Sequence, residues 1–306
     1  MSTSQIDSVV STHYSRLNVQ KEIARYSQDR WVAIHCDFIN PEGYSVLLRY
    51  QKGAGKLKIT LAITKPEDVP SLLNRFARLK PRTFYASINV YRELTRQESV
   101  RDLKNIAFCA PTWDIDNSSE KWKATIAAAK AILEFLREEG ISKSVFVKWS
   151  GRGAHVHVHH RAFSSQLIER IGALNLAYAI VEYANRTLKA RFREITETSA
   201  SPELNIENEI DIQRVFSCPL SLHRSLSRVV VCFPPSDVDN FNPEWTRVDE
   251  YRHWENWDQF ETGEGDALAE KACKKIGAYV IKTQPKPKPR PESKTSDNSL
   301  TRWLQD

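Results

Sequence analysis

The chain has 306 residues, of which 41% are hydrophobic and 27% charged, a composition that excludes an intrinsically disordered or fibrous protein. Its 44 lysines and arginines exceed its 38 acids, and the resulting charge of +6 is compatible with a polyanionic partner such as nucleic acid. No apolar run approaches the roughly 20 residues of a membrane-spanning helix, and the polar N-terminus lacks the apolar core of a signal peptide, so we expect a cytoplasmic protein with no membrane partner.

The N-terminal third predicts helices that flank a small group of strands. Residues 1–30 have an amphipathic helical pattern, and residues 31–64 contain the alternating, β-branched runs of a strand meander. The glycine-containing stretch 51–56 predicts a hairpin loop, because it lacks the spacing and the following Ser or Thr of a phosphate-binding P-loop. The next predicted elements are a helix over 66–79 and strands over 83–90 and 106–115.

The rest of the folded part alternates helices with short strands. A helix over 118–139 is favoured by a capping serine and by apolar residues at helical spacing, and Gly140 ends it. The remaining predicted elements are strands over 144–149, 154–159, 206–215 and 229–233, a long helix over 166–189, and one or two aromatic-rich helices over 245–260. This mixture predicts an α+β fold with mixed sheets whose strands are not adjacent in sequence.

The composition changes after about residue 283. The stretch 283–295 alternates proline with cations, which predicts an extended, flexible linker and accounts for part of the positive charge. In the segment 296–306, Leu300, Trp303 and Leu304 have the spacing of one apolar helical turn, too short to fold alone. We therefore expect one folded domain over 1–282 and a terminal peptide that docks on a partner; a terminus with stray apolar residues is the alternative.

The cysteines are scattered along the chain and form no CxxC pair. They are Cys36, Cys109, Cys218, Cys232 and Cys273. Neither a structural zinc site nor a disulfide framework is indicated, and we interpret them as reduced thiols, most of them in the core.

The first motif with chemical potential is WDID, residues 113–116, at the end of an apolar strand. Alternation along a strand places Asp114 and Asp116 on the same side. Two carboxylates so close repel each other unless a cation lies between them, and Mg²⁺ or Mn²⁺ prefers such oxygen ligands. The pair is therefore a candidate catalytic and metal site for phosphoryl transfer; a turn or a helix cap is the ordinary alternative.

The second motif is SGRGAH, residues 150–155, between two predicted strands. Its glycines allow a tight turn that brings N–H groups close to an anion, and Ser150, Arg152 and His155 can all donate to phosphate oxygens. One face of the following strand carries His155, His157 and His159. We favour phosphate binding; a histidine metal site, as in zinc hydrolases, and a hairpin with surface histidines are the alternatives.

The third group of polar residues lies between positions 204 and 223. Glu207, Glu209 and Asp211 alternate with apolar residues, which on a strand places three acids on one face and offers a third metal carboxylate. The block PLSLH follows at 219–223, and His223 is a further candidate contact for a nucleotide. Taken separately, the pattern is equally typical of a solvated acidic edge.

In this order the three motifs resemble those of the archaeo-eukaryotic primase superfamily, and most closely the catalytic small subunit of DNA primase. The similarity rests on WDID after a strand, SGRGAH and PLSLH, and it spans about residues 20–235. It implies a two-module α+β catalytic core with flanking helices and a site in the cleft between the modules. The implied reaction is attack of a 3′-hydroxyl on the α-phosphate of a nucleoside triphosphate, templated by single-stranded DNA.

The resemblance also implies roles for individual residues. The implied ligands of Mg²⁺ or Mn²⁺ are Asp114 and Asp116. The implied nucleotide contacts are Ser150, Arg152, His155 and His223. Counting back from His223, the family's third metal aspartate falls at Asn205, so we expect Glu207 or Asp211 to replace it. The cysteine-rich zinc knuckle of many family members has no counterpart in this sequence.

The resemblance favours a primase or primase-polymerase in replication or repair, associated with the nucleoid, and implies a primase large subunit as a further partner. The alternative is a homologue with weakened catalysis that acts as an accessory nucleic-acid- or clamp-binding subunit, which Asn205 suggests. The terminal SDNSLTRWL is similar to the short motif by which archaeal replication enzymes bind the sliding clamp, with Asn298 where glutamine is usual. The clamp would be bound through Leu300, Trp303 and Leu304.

Overall fold

The computed structural model describes residues 8–279. The expected linker, 283–295, and the docking peptide, 296–306, lie outside the described residues. The described part consists of helices and three β-sheets, which confirms the expected α+β class. None of the helices in this part is both long enough and apolar enough to cross a membrane.

The first sheet builds an N-terminal module and has five antiparallel strands. They are β1 Arg30–Ile39, β2 Ser45–Leu48, β5 Pro81–Tyr91, β6 Ile106–Cys109 and β11 Val215–Ser217. The hydrogen-bonded order is β11-β5-β1-β2, and β6 also pairs with β5. A separate hairpin forms from β3 Tyr50–Lys52 and β4 Lys58–Thr60, which confirms the hairpin expected around the glycine-containing loop.

Three helices accompany the first sheet, and apolar residues on their inner faces form its core. The helices are α1 Ser8–Tyr14, α2 Leu17–Ser27 and α3 Asp68–Arg75. Val19 and Ile23 of α2 lie in one buried cluster with Val32 and Phe84 of the sheet. Burying such side chains stabilises the fold by about 1.5–3 kcal/mol each. The same cluster also contains Phe146 and Cys232, so this core joins the N-terminal module to the rest of the fold.

The second sheet also has five antiparallel strands. In spatial order they are β10 Asn205–Glu207, β7 Thr112–Asp116, β9 Ala154–Val158, β8 Val145–Trp149 and β12 Val231–Phe233. Because side chains alternate along a strand, Trp113, Ile115 and Val156 face a second apolar core, whereas polar residues occupy the other face. That polar face is turned toward the first sheet, since the ring of Phe216 on β11 lies 4.6 Å from the ring of His155.

Helices cover the apolar face of the second sheet. They are α4 Trp122–Glu138, α5 Ser165–Ile171, α6 Ala173–Thr187, α7 Lys189–Thr198 and α8 Asp266–Ile276. The predicted single helix over 166–189 is wrong, because Gly172, with φ of 89°, separates α5 from α6. The predicted helices over 245–260 are also wrong: that region contains a short 3-10 turn, Glu255–Asp258, and the last described helix is α8.

Two predicted strands are each divided between the sheets. The predicted strand over 106–115 breaks at Ala110 and Pro111, where proline cannot donate to a strand ladder, so β6 joins the first sheet and β7 the second. Likewise, the predicted strand over 206–215 is wrong, because a loop separates β10 in the second sheet from β11 in the first. The chain therefore crosses between the sheets at both positions.

The cysteines behave as expected for core thiols. Cys36, Cys109, Cys218 and Cys232 are buried, Cys273 is partly buried, and all five are free. Burial raises the pKa of the Cys218 thiol to about 11, which makes it a poor nucleophile near neutral pH.

Candidate functional site

Strand β7 ends in the two expected aspartates. Asp114 and Asp116 project from the polar face, whereas Ile115 between them is fully buried on the other face. The neighbouring strand β10 runs antiparallel, with Glu207 opposite Asp114 and Asn205 opposite Asp116. Directly opposed residues have Cβ atoms about 4.5–5.5 Å apart, so Glu207 extends the acidic face that the two aspartates begin.

Asp114 is held by two partners, a histidine and an arginine. One carboxylate oxygen, Oδ1, lies 3.2 Å from Nε2 of His155, and the other, Oδ2, accepts a 2.7 Å hydrogen bond from Nη2 of Arg214. Burial opposes ionisation of Asp114, but the interactions with His155, Arg214 and Lys148 outweigh it and lower the pKa of this carboxyl. Asp114 is therefore an anion across the physiological pH range.

Asp116 lies at the exposed end of β7 and has the opposite tendency. Burial of the carboxylate and the charges of Asp114 and Glu207 raise its pKa, although His155 and Arg214 partly offset them. After burial, the like charges of Asp114 and Glu207 contribute to the raised pKa, and a bound cation would offset these charges.

Arg214, which sequence reasoning missed, lies in the middle of these acids. Its guanidinium binds Asp114, forms an ion pair with Glu209, and lies 5.1 Å from the ring centre of Phe216. The expected continuous strand over 206–215 placed the acids and Arg214 along one regular ladder. Such a strand gives no indication that Arg214 contacts Asp114 and Glu209. A cation three positions after the last of three alternating acids was the available signal.

The three-acid strand face expected at positions 207, 209 and 211 is not formed. Glu207 lies on β10, but Glu209 and Asp211 lie in the loop that follows it. The carboxylate of Asp211 accepts the N–H of Gln213, and its charge acts on Tyr91 and Tyr279 rather than on Asp114 or Asp116. The acid that the structure brings beside the aspartate pair is therefore Glu207, and Asp211 is directed elsewhere.

The chemistry of this donor set fits a hard divalent cation. Asp114, Asp116 and Glu207 offer carboxylate oxygens, which Mg²⁺ and Mn²⁺ prefer. Within residues 8–279 no three His, Cys, Asp or Glu side chains are arranged to hold a metal ion by themselves. This is compatible with Mg²⁺, which protein sites commonly bind through one or two carboxylates while water and phosphate complete the coordination.

The SGRGAH segment is the turn between β8 and β9, as expected. The N–H and the hydroxyl of Ser150 both donate to the carbonyl of Gly153, at 3.0 and 3.1 Å, and close the turn. A Cβ atom on Gly153 would lie 2.3 Å from the carbonyl oxygen of Ile115, so only glycine lets the turn touch β7 beside Asp116. Arg152 at the tip is exposed and available to an anion.

His223 packs on this turn from the other side. Its Nδ1 accepts the N–H groups of Ser225 and Leu226, at 3.1 and 3.0 Å, which leaves Nε2 as a donor. Burial, Arg224 and Arg152 lower the pKa of His223 to about 4. The ring is thus a neutral donor within a group of cations, which is a suitable environment for phosphate oxygens.

Arg82 fixes the segment that carries His223. Its Nε donates to the carbonyl of His223 at 3.0 Å, and its Nη2 donates to the carbonyl of Leu226 at 3.2 Å. Sequence reasoning did not single out Arg82, because it lies on β5, far from the PLSLH block along the chain.

The three alternating histidines are buried, so the surface-histidine interpretation is wrong. Each histidine has a different partner. His155 contacts Asp114, and His157 forms a 2.8 Å hydrogen bond with the hydroxyl of Thr112. His159 pairs with Asp258 at 2.8 Å. Burial lowers the pKa of His157 well below its usual value. Because the described residues contain no three-ligand cluster, the arrangement gives the zinc-hydrolase alternative no support.

Lys148 is a second residue that sequence reasoning missed. It is fully buried, and its Nζ donates to the hydroxyl of Tyr26 at 3.1 Å and lies 4.6 Å from the centre of that ring. Across the sheet, Glu207, Asp114, His155 and Lys148 oppose one another in a single row. Counting outward from the turn pairs position 148 with position 155, so the hairpin register was a usable signal.

Comparison with known proteins shows a similarity of fold to a solved structure. No protein-family model matches the sequence, and no curated protein matches it. The structure is similar to the polymerase domain of Ligase D from Mycobacterium tuberculosis, solved in complex with DNA, with a TM-score of 0.51 over 88% of each chain and 14% sequence identity. At this identity the likeness concerns the fold, and the chain shares the overall architecture of that polymerase domain.

Proposed function

We propose that this protein is a metal-dependent nucleotidyltransferase that begins or extends a strand on a single-stranded DNA template. The observation that carries the proposal is the contact between two chemically different groups: the SGRGAH turn touches β7 where Asp116 ends it. An acidic face suited to Mg²⁺ or Mn²⁺ thus adjoins a turn and a histidine suited to a triphosphate. The fold likeness to a DNA-bound polymerase domain supports the same class of reaction.

The acidic residues would hold the cation. Asp114 and Asp116 are the first candidates, and Glu207 is placed to act where the family pattern expects an aspartate and this chain has Asn205. When bound, Mg²⁺ or Mn²⁺ would neutralise phosphate charge and increase the acidity of the attacking hydroxyl.

The turn and its neighbours would hold the nucleotide. Arg152 would bind phosphate oxygens through its guanidinium, and His223 would donate from Nε2. In the reaction, the 3′-oxygen of the growing strand bonds to the α-phosphorus, the bond to the β-phosphate oxygen breaks, and pyrophosphate leaves. Catalysis by these residues is a matter of positioning and charge neutralisation.

The β3–β4 hairpin is a suitable surface for the nucleic acid. Residues 43–66 contain five cations and no Asp or Glu. Lys52 and Lys56 are exposed at its end. Arg49 immediately precedes the hairpin and lies over the ring of Trp31. The charge of Arg49 acts on Arg214, so the base of the hairpin adjoins the site. A cationic, sequence-independent surface of this kind binds the phosphate backbone.

A homologue with weakened catalysis is the second candidate, and two observations favour it. Asn205 occupies the position opposite Asp116, where an amide binds a cation less well than a carboxylate does. In addition, Arg214 already neutralises Asp114. Such a protein would act as an accessory subunit on nucleic acid or on a clamp.

Incorporation of labelled nucleotide on primed and unprimed single-stranded DNA, with Mg²⁺ or Mn²⁺, separates the two candidates. We expect incorporation by the wild type and a loss of at least a hundredfold in Asp114→Asn and Asp116→Asn. Asp239→Asn is the matched control, since Asp239 is exposed and paired with Lys130. Equal background incorporation by the wild type and Asp114→Asn would exclude the enzyme and leave the accessory role.

A further inference from the structure

The acidic face contains a cation supplied by the chain itself. Nη2 of Arg214 donates to Asp114 at 2.7 Å, and the same nitrogen pairs with Glu209. The charges of Asp114, Asp116 and Glu207 all act on this guanidinium. Arg214 therefore interacts with the acids that would bind a divalent cation.

The surroundings of Arg214 show that it is held in place rather than loosely attached. The guanidinium carbon lies over Phe216 at 5.1 Å, and its side chain is one-third exposed. Within residues 8–279, its Nε is buried and makes no hydrogen bond. A planar guanidinium with a buried, unsatisfied N–H has a donor left over for another acceptor.

A divalent cation on Oδ2 of Asp114 would lie directly beside the positive charge of Arg214, and the two cations would repel each other. Oδ1 faces His155 and Oδ2 faces Arg214, so both oxygens of this carboxylate already have partners. Asp116, by contrast, forms no ion pair with Arg214 in the described part of the chain and is exposed at the strand end, where a cation would first arrive. Binding of a cation at Oδ2 of Asp114 therefore favours movement of the guanidinium away from this oxygen.

We propose that Arg214 is an internal counter-ion that competes with the divalent cation for Asp114 and so sets the metal affinity of the site. The inference rests on the proposed function, because it assumes that the acids bind a metal. Arg214 offsets part of the negative charge of the acidic face until the cation arrives, and it gives up Asp114 when the cation binds. The guanidinium is then free to bind another anion beside the metal.

Mn²⁺ binding to the full chain, measured by the loss of the free-ion electron paramagnetic resonance signal, tests the inference without an activity assay. We expect Arg214→Gln to lower the Kd for Mn²⁺ at least tenfold. Arg49→Gln is the matched control: it removes a neighbouring cation that stacks on Trp31, so its Kd should change less than threefold. Without Mn²⁺, Arg214→Gln should unfold at a lower temperature than the wild type. Addition of Mn²⁺ should remove this difference in unfolding temperature.

Each outcome has a definite meaning. An unchanged or higher Kd in a folded Arg214→Gln overturns the inference, as does an equal gain in Arg49→Gln, which would indicate a general charge effect. If Arg214→Gln does not fold, Arg214→Lys takes its place. Lysine has a point charge without the planar fork of arginine, so this variant should bind Mn²⁺ more tightly than the wild type. An unchanged affinity for Mn²⁺ in Arg214→Lys would overturn the inference. If the wild type binds Mn²⁺ and Asp116→Asn weakens it, the proposed function survives. If no form binds Mn²⁺, both fail.

Discussion

Gly151 lies directly against the imidazole ring of His223. A Cβ atom on Gly151 would be 2.5 Å from Cδ2 of that ring, well inside van der Waals contact. The φ of Gly151 is 122°, a backbone conformation that side chains rarely adopt. The turn and the histidine are therefore fitted to each other, and residues about 70 positions apart in the chain form one unit, to which we assign nucleotide binding in the proposed function.

Replacing Gly151 by alanine should separate this unit. We expect Gly151→Ala to weaken nucleotide binding at least tenfold, about 1.4 kcal/mol, because His223 must move away from the turn. Fluorescence titration with a non-hydrolysable nucleotide measures this. Gly43→Ala is the control: Gly43 also has positive φ, 85°, but a Cβ there meets nothing within 4 Å. Gly43→Ala should lower the stability of the protein but leave its nucleotide affinity unchanged. Equal nucleotide affinity in Gly43→Ala and Gly151→Ala would contradict the prediction.

Arg82 should act on the nucleotide through His223. Without its hydrogen bonds to the carbonyls of His223 and Leu226, the segment loses its anchor. We expect Arg82→Gln to raise the KM for nucleotide about tenfold, a loss of roughly 1.4 kcal/mol in binding, with a smaller effect on kcat. Arg78→Gln, at an exposed position nearby, is the control. A fall in kcat with unchanged KM would show that the positioning role is wrong.

The hairpin should contribute to the salt dependence of DNA binding. Replacing both Lys52 and Lys56 by glutamine removes two exposed cations from the acid-free segment. We expect weaker binding to single-stranded DNA and a salt slope reduced by about 1.4, since each phosphate contact contributes roughly 0.7. Lys130 and Lys143, replaced together, are the control, because both already pair with acids. A slope that falls equally in the control would assign the effect to net charge.

Stability should depend on pH through a buried histidine. Burial lowers the pKa of His13 to about 4, against 6.5 for the unperturbed group. Between these values the unfolded chain binds a proton that the folded chain does not, so the free energy of unfolding rises with pH across this window. The contribution is fully present above pH 6.5 and is lost as pH falls toward 4, and it is on the order of 3 kcal/mol.

Urea unfolding at intervals from pH 4.5 to 7.5 measures this dependence. His13 is fully buried, and its Nε2 contacts the carbonyl of Leu220 at 2.7 Å, so glutamine preserves a donor there without titrating. We expect His13→Gln to have a shallower pH dependence than the wild type. Equal slopes for the two proteins would show that His13 does not titrate differently on folding.

The local features of the site could be predicted from sequence because they depend on short spacings. Asp114 and Asp116 share a face since strands have a period of two, and the two glycines of SGRGAH predict a tight turn between neighbouring strands. These features need only neighbours along the chain or directly across a hairpin.

The parts that could not be predicted depend on where strands end and which sheet they join. Arg214 reaches both Asp114 and Glu209 because a loop interrupts the acidic run after Glu207, and alternation alone cannot reveal such an interruption. Burial of the histidine face likewise follows from Phe216 and the first sheet, which pack over it. The contacts that were not predicted join residues far apart along the chain, although the chemistry of each contact is ordinary.

The two crossings between the sheets also govern how the protein can be made. The first sheet receives its edge strand β11 only from residues 215–217, long after β5 has been synthesised. A ribosome-bound chain that ends before this point leaves the corresponding edge of β5 without that partner, and such edges invite association with other chains. The acids proposed to bind the metal and Arg214 come together across the same late segment. If the proposed function holds, nascent chains that stall earlier should be both unable to bind nucleotide and prone to aggregate.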